Sequence, residues 1–169
     1  MTKSKKQTPM MAQYHRLKGE LPKDTLLFFR LGDFYELFFD DANKGAEILN
    51  ITLTKRGTTP MCGIPFHAAN NYIGKLLQAG CKVALCEQTE EAVPGKLVNR
   101  EVKQILSPGT HFEEQLLNAN RNNYLAAICH NKDTYGLALI DLTTGDFKVT
   151  EATSIADLGS ELDRLKPAE

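Results

Sequence analysis

Apolar residues along this chain follow two rhythms, one of period 3.6 and one of period 2, and the changes between them mark out its elements. Met10, Tyr14 and Leu17 recur at helical spacing behind Thr8-Pro9, a capping residue followed by proline at the first helical position. A helix is therefore predicted from Thr8 to about Gly19. TLLFFRL, Thr25 to Leu31, predicts a strand that Gly32-Asp33 interrupts. DDANKGAEILN predicts a short helix, with Asp40 and Asp41 at the favourable positive end of its dipole. ITLTK then reads as a strand and RGTTP as a turn. HAANNYIGKLLQAG predicts an amphipathic helix with Tyr72, Ile73, Leu76 and Leu77 as its stripe and Gly80 at its end. CKVALCEQ reads as a buried strand, TEEAVPGKLVN as a loop, and REVKQIL as a strand stopped by Ser107-Pro108-Gly109.

Beyond that point the texture changes. NANRNN, Asn118 to Asn123, is a polar connector and marks a boundary. YLAAIC, TYGLALIDL and DFKVTEA follow, separated by polar turns at His130–Asp133 and Thr143–Gly145, and predict an antiparallel meander. SIADLGSELDRLK completes the unit as a helix that Pro167 stops. A unit this small is marginal as a free-standing domain, so the chain is expected to end inside a larger fold. Residues 1–7 carry no pattern and are expected to be disordered, and no internal repeat occurs.

Composition changes this picture little. The 169 residues are 42% hydrophobic and 24% charged, enough to bury a core. No apolar run is long enough to span a membrane, and the polar, lysine-rich N-terminus is unlike a secretory leader. The cysteines, Cys62, Cys81, Cys86 and Cys129, form no CxxC pair, which argues against zinc and for reduced thiols in a cytoplasmic protein. Cys81 and Cys86 are expected on opposite faces. Net charge is −1, but residues 1–110 hold 15 Lys/Arg against 11 Asp/Glu, while residues 111–169 hold 5 against 10. Only the first part is suited to a polyanion.

Candidate chemistry is sparse. Neither GxGxxG nor GxxxxGK[ST] occurs, and GIP and SPG read as turns rather than phosphate cradles. The four histidines stand apart, with no serine or cysteine in a nucleophile setting. Asp33, Asp40 and Asp41 read as capping or solvated residues, not metal ligands, so nothing here calls for an enzyme. GDFYELFFDD, Gly32 to Asp41, is the exception in density, with four aromatic rings in six residues. If Phe34 to Glu36 is extended, Phe34 and Glu36 share one face while Tyr35 and Leu37 share the other. If it is helical, Phe34 meets Leu37 and Phe38 as ordinary core. The residues alone leave both open; Phe28, Phe29, Phe38 and Phe39 are core on either.

TPMMAQY, RLGDFYELFFDDA, ITLTKRG, PMCGIPFHA, CEQ and SPGT, in this order, resemble the N-terminal region of the MutS family of DNA mismatch-recognition proteins. NYLAAI and GLALIDLTTGDFKV resemble the start of its next domain, the connector. The resemblance implies an α/β (α+β-like) fold: a mixed β-sheet surrounded by helices over residues 1–116. The first strands and helix of an RNase H-like connector, 117–169, would follow. It also implies that Phe34 wedges against a mispaired or unpaired base and that Glu36 hydrogen-bonds to that base. Arg56 and Arg100, with Lys55 and Leu31, stand where relatives contact the DNA backbone or groove. Cys62 and Phe66 stand where alanine and tyrosine occur and read as packing changes, and the turn between Gly57 and Pro60 is shorter than in some relatives. By the same resemblance the chain is a fragment, monomeric and without cofactor, of a longer cytoplasmic, nucleoid-associated protein. That parent would be a homodimeric ATPase using ATP and Mg, with mismatched double-stranded DNA and other repair proteins as partners. The competing reading is a protein-interaction or small-ligand α/β module with no DNA role, using apolar surface on the second unit.

Overall fold

Helix α1, Pro9–Gly19, starts where Thr8 turns the chain, its side chain accepting from the Met11 amide at 3.3 Å. The computed structural model that shows this describes residues 8–90, 96–110 and 122–169. The expected disorder of residues 1–7, much of the 89–99 loop, and the first four residues of the 118–123 connector lie outside these. The chain divides into two units, the first ending at Leu106 and the second beginning at Ser107. The boundary expected at 116/117 falls among residues that are not described.

The first unit is a six-stranded mixed sheet. Its strands are β1 (Thr25–Leu31), β2 (Phe34–Phe38), β3 (Thr54–Arg56), β4 (Thr59–Pro65), β5 (Lys82–Gln88) and β6 (Arg100–Leu106), in the order β3-β4-β2-β1-β5-β6. Only β1 and β5 run parallel. Period-two alternation sends alternate residues to two cores. On one side Tyr14 and Leu17 of α1 pack with Leu27, Phe29, Phe38 and Cys86. On the other, α2 (Phe39–Leu49) and α3 (Ala69–Gln78) pack Ala46, Leu49, Ile73 and Leu76 against Leu26, Phe28, Leu37 and Cys81. Cys81 and Cys86 thus lie on opposite faces, as their spacing predicts. The expected mixed sheet with surrounding helices is present.

Three local expectations are revised. The strand expected at ITLTK covers only its end, Thr54 and Lys55, and runs on into Arg56. The RGTTP turn contracts to Gly57-Thr58, with Gly57 at φ +65°. GIP is not a turn but the end of β4. Proline ordinarily argues against a strand interior. Here Pro65 closes β4, and Pro60 lies opposite Lys55 of the short β3. Asp41 is also more than a helix-start charge. It is buried, accepts from the Leu27 amide at 2.9 Å and pairs with Lys18 at 2.8 Å. It supplies the acceptor that β1 loses where β2 departs into α2.

In the second unit β7 (Tyr124–Asn131), β8 (Thr134–Asp141) and β9 (Asp146–Ala152) form the expected meander, followed by α4 (Ile155–Leu165). Ser154 caps α4, accepting from the Asp157 amide at 3.1 Å and donating to its carboxylate at 2.7 Å. Tyr124, Leu137, Leu139, Ala152 and Leu158 form the core. Phe147 and Val149 are exposed. Among the described residues no helix is long and apolar enough to cross a membrane.

Candidate nucleic-acid interface

Gly32, at φ +58°, lets β1 return as β2 through a two-residue turn that pairs Leu31 with Phe34, Arg30 with Tyr35 and Phe29 with Glu36. Residues 34–36 are therefore extended. Phe34 and Glu36 share the face that carries Phe29 and Phe38, and Tyr35 and Leu37 take the other. Burial falls off towards the turn: Phe38 is fully buried, Glu36 is 8% exposed and Phe34 is 47% exposed. Phe28 and Phe29 are core as expected, while Phe39 is half-buried and holds φ +54° at the head of α2. A single face thus presents an apolar ring at its rim and an acid one step deeper.

The acid is not alone. Arg56 Nη2 donates to Glu36 Oε1 at 2.6 Å, forming an ion pair, while Glu36 Oε2 is buried without a hydrogen-bond partner. Register explains the meeting. Glu36 lies opposite Gly63 on β4, and Arg56 opposite Thr59 of the same strand. Positions 59 and 63 share a face, so Glu36 and Arg56 do too. Burial pushes the Glu36 carboxyl above the usual carboxylate range, and the Arg56 guanidinium opposes that shift without cancelling it.

Of the remaining site candidates, Leu31 is the cross-strand neighbour of Phe34 and is half-buried against the α1-side core. Lys55 is exposed but, one residue from Arg56, points to the opposite face. Arg100 is held inward rather than displayed on the surface. It is 5% exposed, and its guanidinium donates to the carbonyls of Arg30 (2.7 Å) and Val98 (2.9 Å) and to Gln13 Oε1 (3.0 Å). It also lies 4.9 Å from the Phe29 ring centroid. Its Nε and Nη1 donors are thus turned inward, tying β6 to β1 and α1.

Sequence reasoning missed the Glu36–Arg56 pair, because the signal lies in the β3–β4 hairpin register that the prolines obscured. It also missed a cluster on the other face. Arg30 stacks on Phe66 at 3.6 Å, Tyr35 donates to Glu87, and Phe66 is 46% exposed rather than packed as core. Among the described residues no group of three or more His, Cys, Asp or Glu is placed to hold a metal.

Residues 8–115 match the family model for MutS domain I. The chain belongs to the MutS family. Residues 123–169 match MutS domain II, so both units fall within MutS sequence. The chain is 50% identical to the DNA mismatch repair protein MutS of Myxococcus xanthus over 96% of its length, which is 19% of that relative. It is 49% identical to the MutS of Treponema denticola over 98% of its length, and to that of Anaplasma phagocytophilum over 100%, covering 20% and 21% of those proteins. The chain thus spans about a fifth of the curated MutS relatives it matches.

Proposed function

We propose that the first unit recognises mispaired or unpaired bases in double-stranded DNA, with Phe34 as the wedge and Glu36 as the hydrogen-bonding partner of the displaced base. The observation that carries this reading is the half-exposed Phe34 ring at the rim of a rigid sheet, with the Glu36 carboxyl on the same face. Ordinary core packing buries such a ring, as it buries Phe28, Phe29 and Phe38.

The energetics favour a mismatch over a matched pair. Inserting a ring unstacks a base step at a cost of about a few kcal/mol. Stacking the ring on the base returns roughly 1–3 kcal/mol. On matched DNA these nearly cancel. A mispaired step is already poorly stacked and bends more readily, so the balance tips towards binding. The Glu36 carboxyl can meet a displaced base in two ways: as an acid donating a hydrogen bond to a purine N7, or as a carboxylate accepting one from a base N–H.

The test is a mobility shift of heteroduplex and homoduplex oligonucleotides across a salt series. Preferential heteroduplex binding that weakens steeply with salt is expected. A salt-insensitive chain with no shift on either duplex would favour the rival, a protein-docking module using the exposed apolar residues of the second unit. ATP hydrolysis, Mg, dimerisation and recruitment of other repair proteins belong, on this reading, to the remainder of a longer MutS protein. Neither of the phosphate-binding motifs GxGxxG and GxxxxGK[ST] occurs in this sequence.

A further inference from the structure

Glu36 and Arg56 complement each other and, separately, the two parts of a nucleotide: its base edge and its phosphate. We propose that Arg56 is a conditional phosphate contact, holding Glu36 while the duplex is matched and turning to the backbone only where a displaced base takes over the Glu36 carboxyl. The proposal rests on the reading of Phe34 and Glu36 given above and adds a residue that sets selectivity.

The two members of the pair are unequally held. Glu36 is buried in the middle of β2, between two paired strands. Arg56 is exposed, at the end of the three-residue edge strand β3, which pairs only with β4. The guanidinium is therefore the partner able to leave. Its departure alone strands a buried acid already short of one partner, at Oε2. A matched duplex keeps its Watson–Crick edges paired and its bases stacked, so no displaced base edge reaches that acid and the ion pair persists. A displaced base offers a hydrogen bond to the carboxyl, and the freed guanidinium then finds a phosphate, for which its planar fork is suited. Mismatched DNA thereby gains one more cation–phosphate contact than matched DNA.

That count is measurable. Each phosphate neutralised contributes about 0.9 to the slope of log K against log salt. In the intact protein that contains this sequence, heteroduplex binding should be steeper than homoduplex binding by about 0.9. Arg56→Gln should erase the difference by lowering the heteroduplex slope alone, and weaken heteroduplex binding by about ten- to a hundredfold, as for loss of one charged hydrogen bond. Arg56→Lys should keep the slope difference, since it keeps the charge. Glu36→Gln should release Arg56 on both duplexes, raising the homoduplex slope to the heteroduplex value. Equal wild-type slopes, or an Arg56→Gln effect shared by both duplexes, would overturn the proposal and make Arg56 an unconditional contact. If Phe34→Ala still abolished the heteroduplex preference in that case, the base reading would stand without the exchange. If there were no preference to abolish, both would fall.

Discussion

Replacing Arg100 by alanine should destabilise the first unit severely, and not through DNA. The guanidinium serves three acceptors: the carbonyls of Arg30 and Val98 and the amide oxygen of Gln13. It thereby ties β6 to β1 and to α1. Each acceptor orphaned in the interior costs about 1–3 kcal/mol. Two effects offset part of the sum. The buried cation carries its own desolvation penalty, seen in a guanidinium whose affinity for its proton burial lowers, and water enters the space left behind. The expected net loss is about 3–5 kcal/mol, that of breaking a buried charged network. Arg100→Met, which keeps a long apolar side chain at this buried position, should recover part of it. Urea unfolding reports the total. Amide exchange in β1 and β5 localises it to the first unit, since both strands belong to its sheet. A loss below about 1 kcal/mol, within the range of surface substitutions and accompanied by a lower salt slope on DNA, would refute the inward assignment.

Phe34→Ala should cost under about 1 kcal/mol of stability, because the ring is half-exposed, while removing the heteroduplex preference; a loss of about 3–5 kcal/mol would mark a core ring instead. Glu36 predicts a pH dependence. Its folded pKa lies above the ordinary glutamate value, so its contribution to stability is full below that ordinary value and is lost as pH rises through the raised one. Glu36→Gln should flatten this part of the stability–pH curve, and an unchanged curve in urea titrations at stepped pH would contradict the assignment. The same substitution should strengthen homoduplex binding, measured by titration at one salt concentration, because Arg56 is no longer held by Glu36 and is free to reach a phosphate.

Where local chemistry sufficed, the sequence was readable. Thr8-Pro9 placed the start of α1, Gly80 followed the end of α3, and Gly32-Asp33 split β1 from β2. The shared face of Phe34 and Glu36 follows from parity once the segment is extended. What was not legible depends on register between distant strands. The meeting of Arg56 with Glu36 requires β4, whose prolines hid it. Arg100 reads as a surface cation because arginine is seldom fully buried. Nothing near it in sequence announces that Gln13, 87 residues away, will receive it.

The turn at Gly32-Asp33 works as a reading frame. Because side chains alternate, one residue added or removed there would exchange the two faces of β2. Tyr35 would swing to the rim, Phe34 and the Glu36 carboxyl would be driven towards the core beneath α2 and α3, and the partnership with Arg56 would be lost. Substitutions in this hairpin change how well the wedge works; a single-residue indel changes which residue is the wedge. Length, more than composition, is therefore the quantity under constraint between Leu31 and Phe34, and lineages that vary freely in other loops should hold this one to two residues.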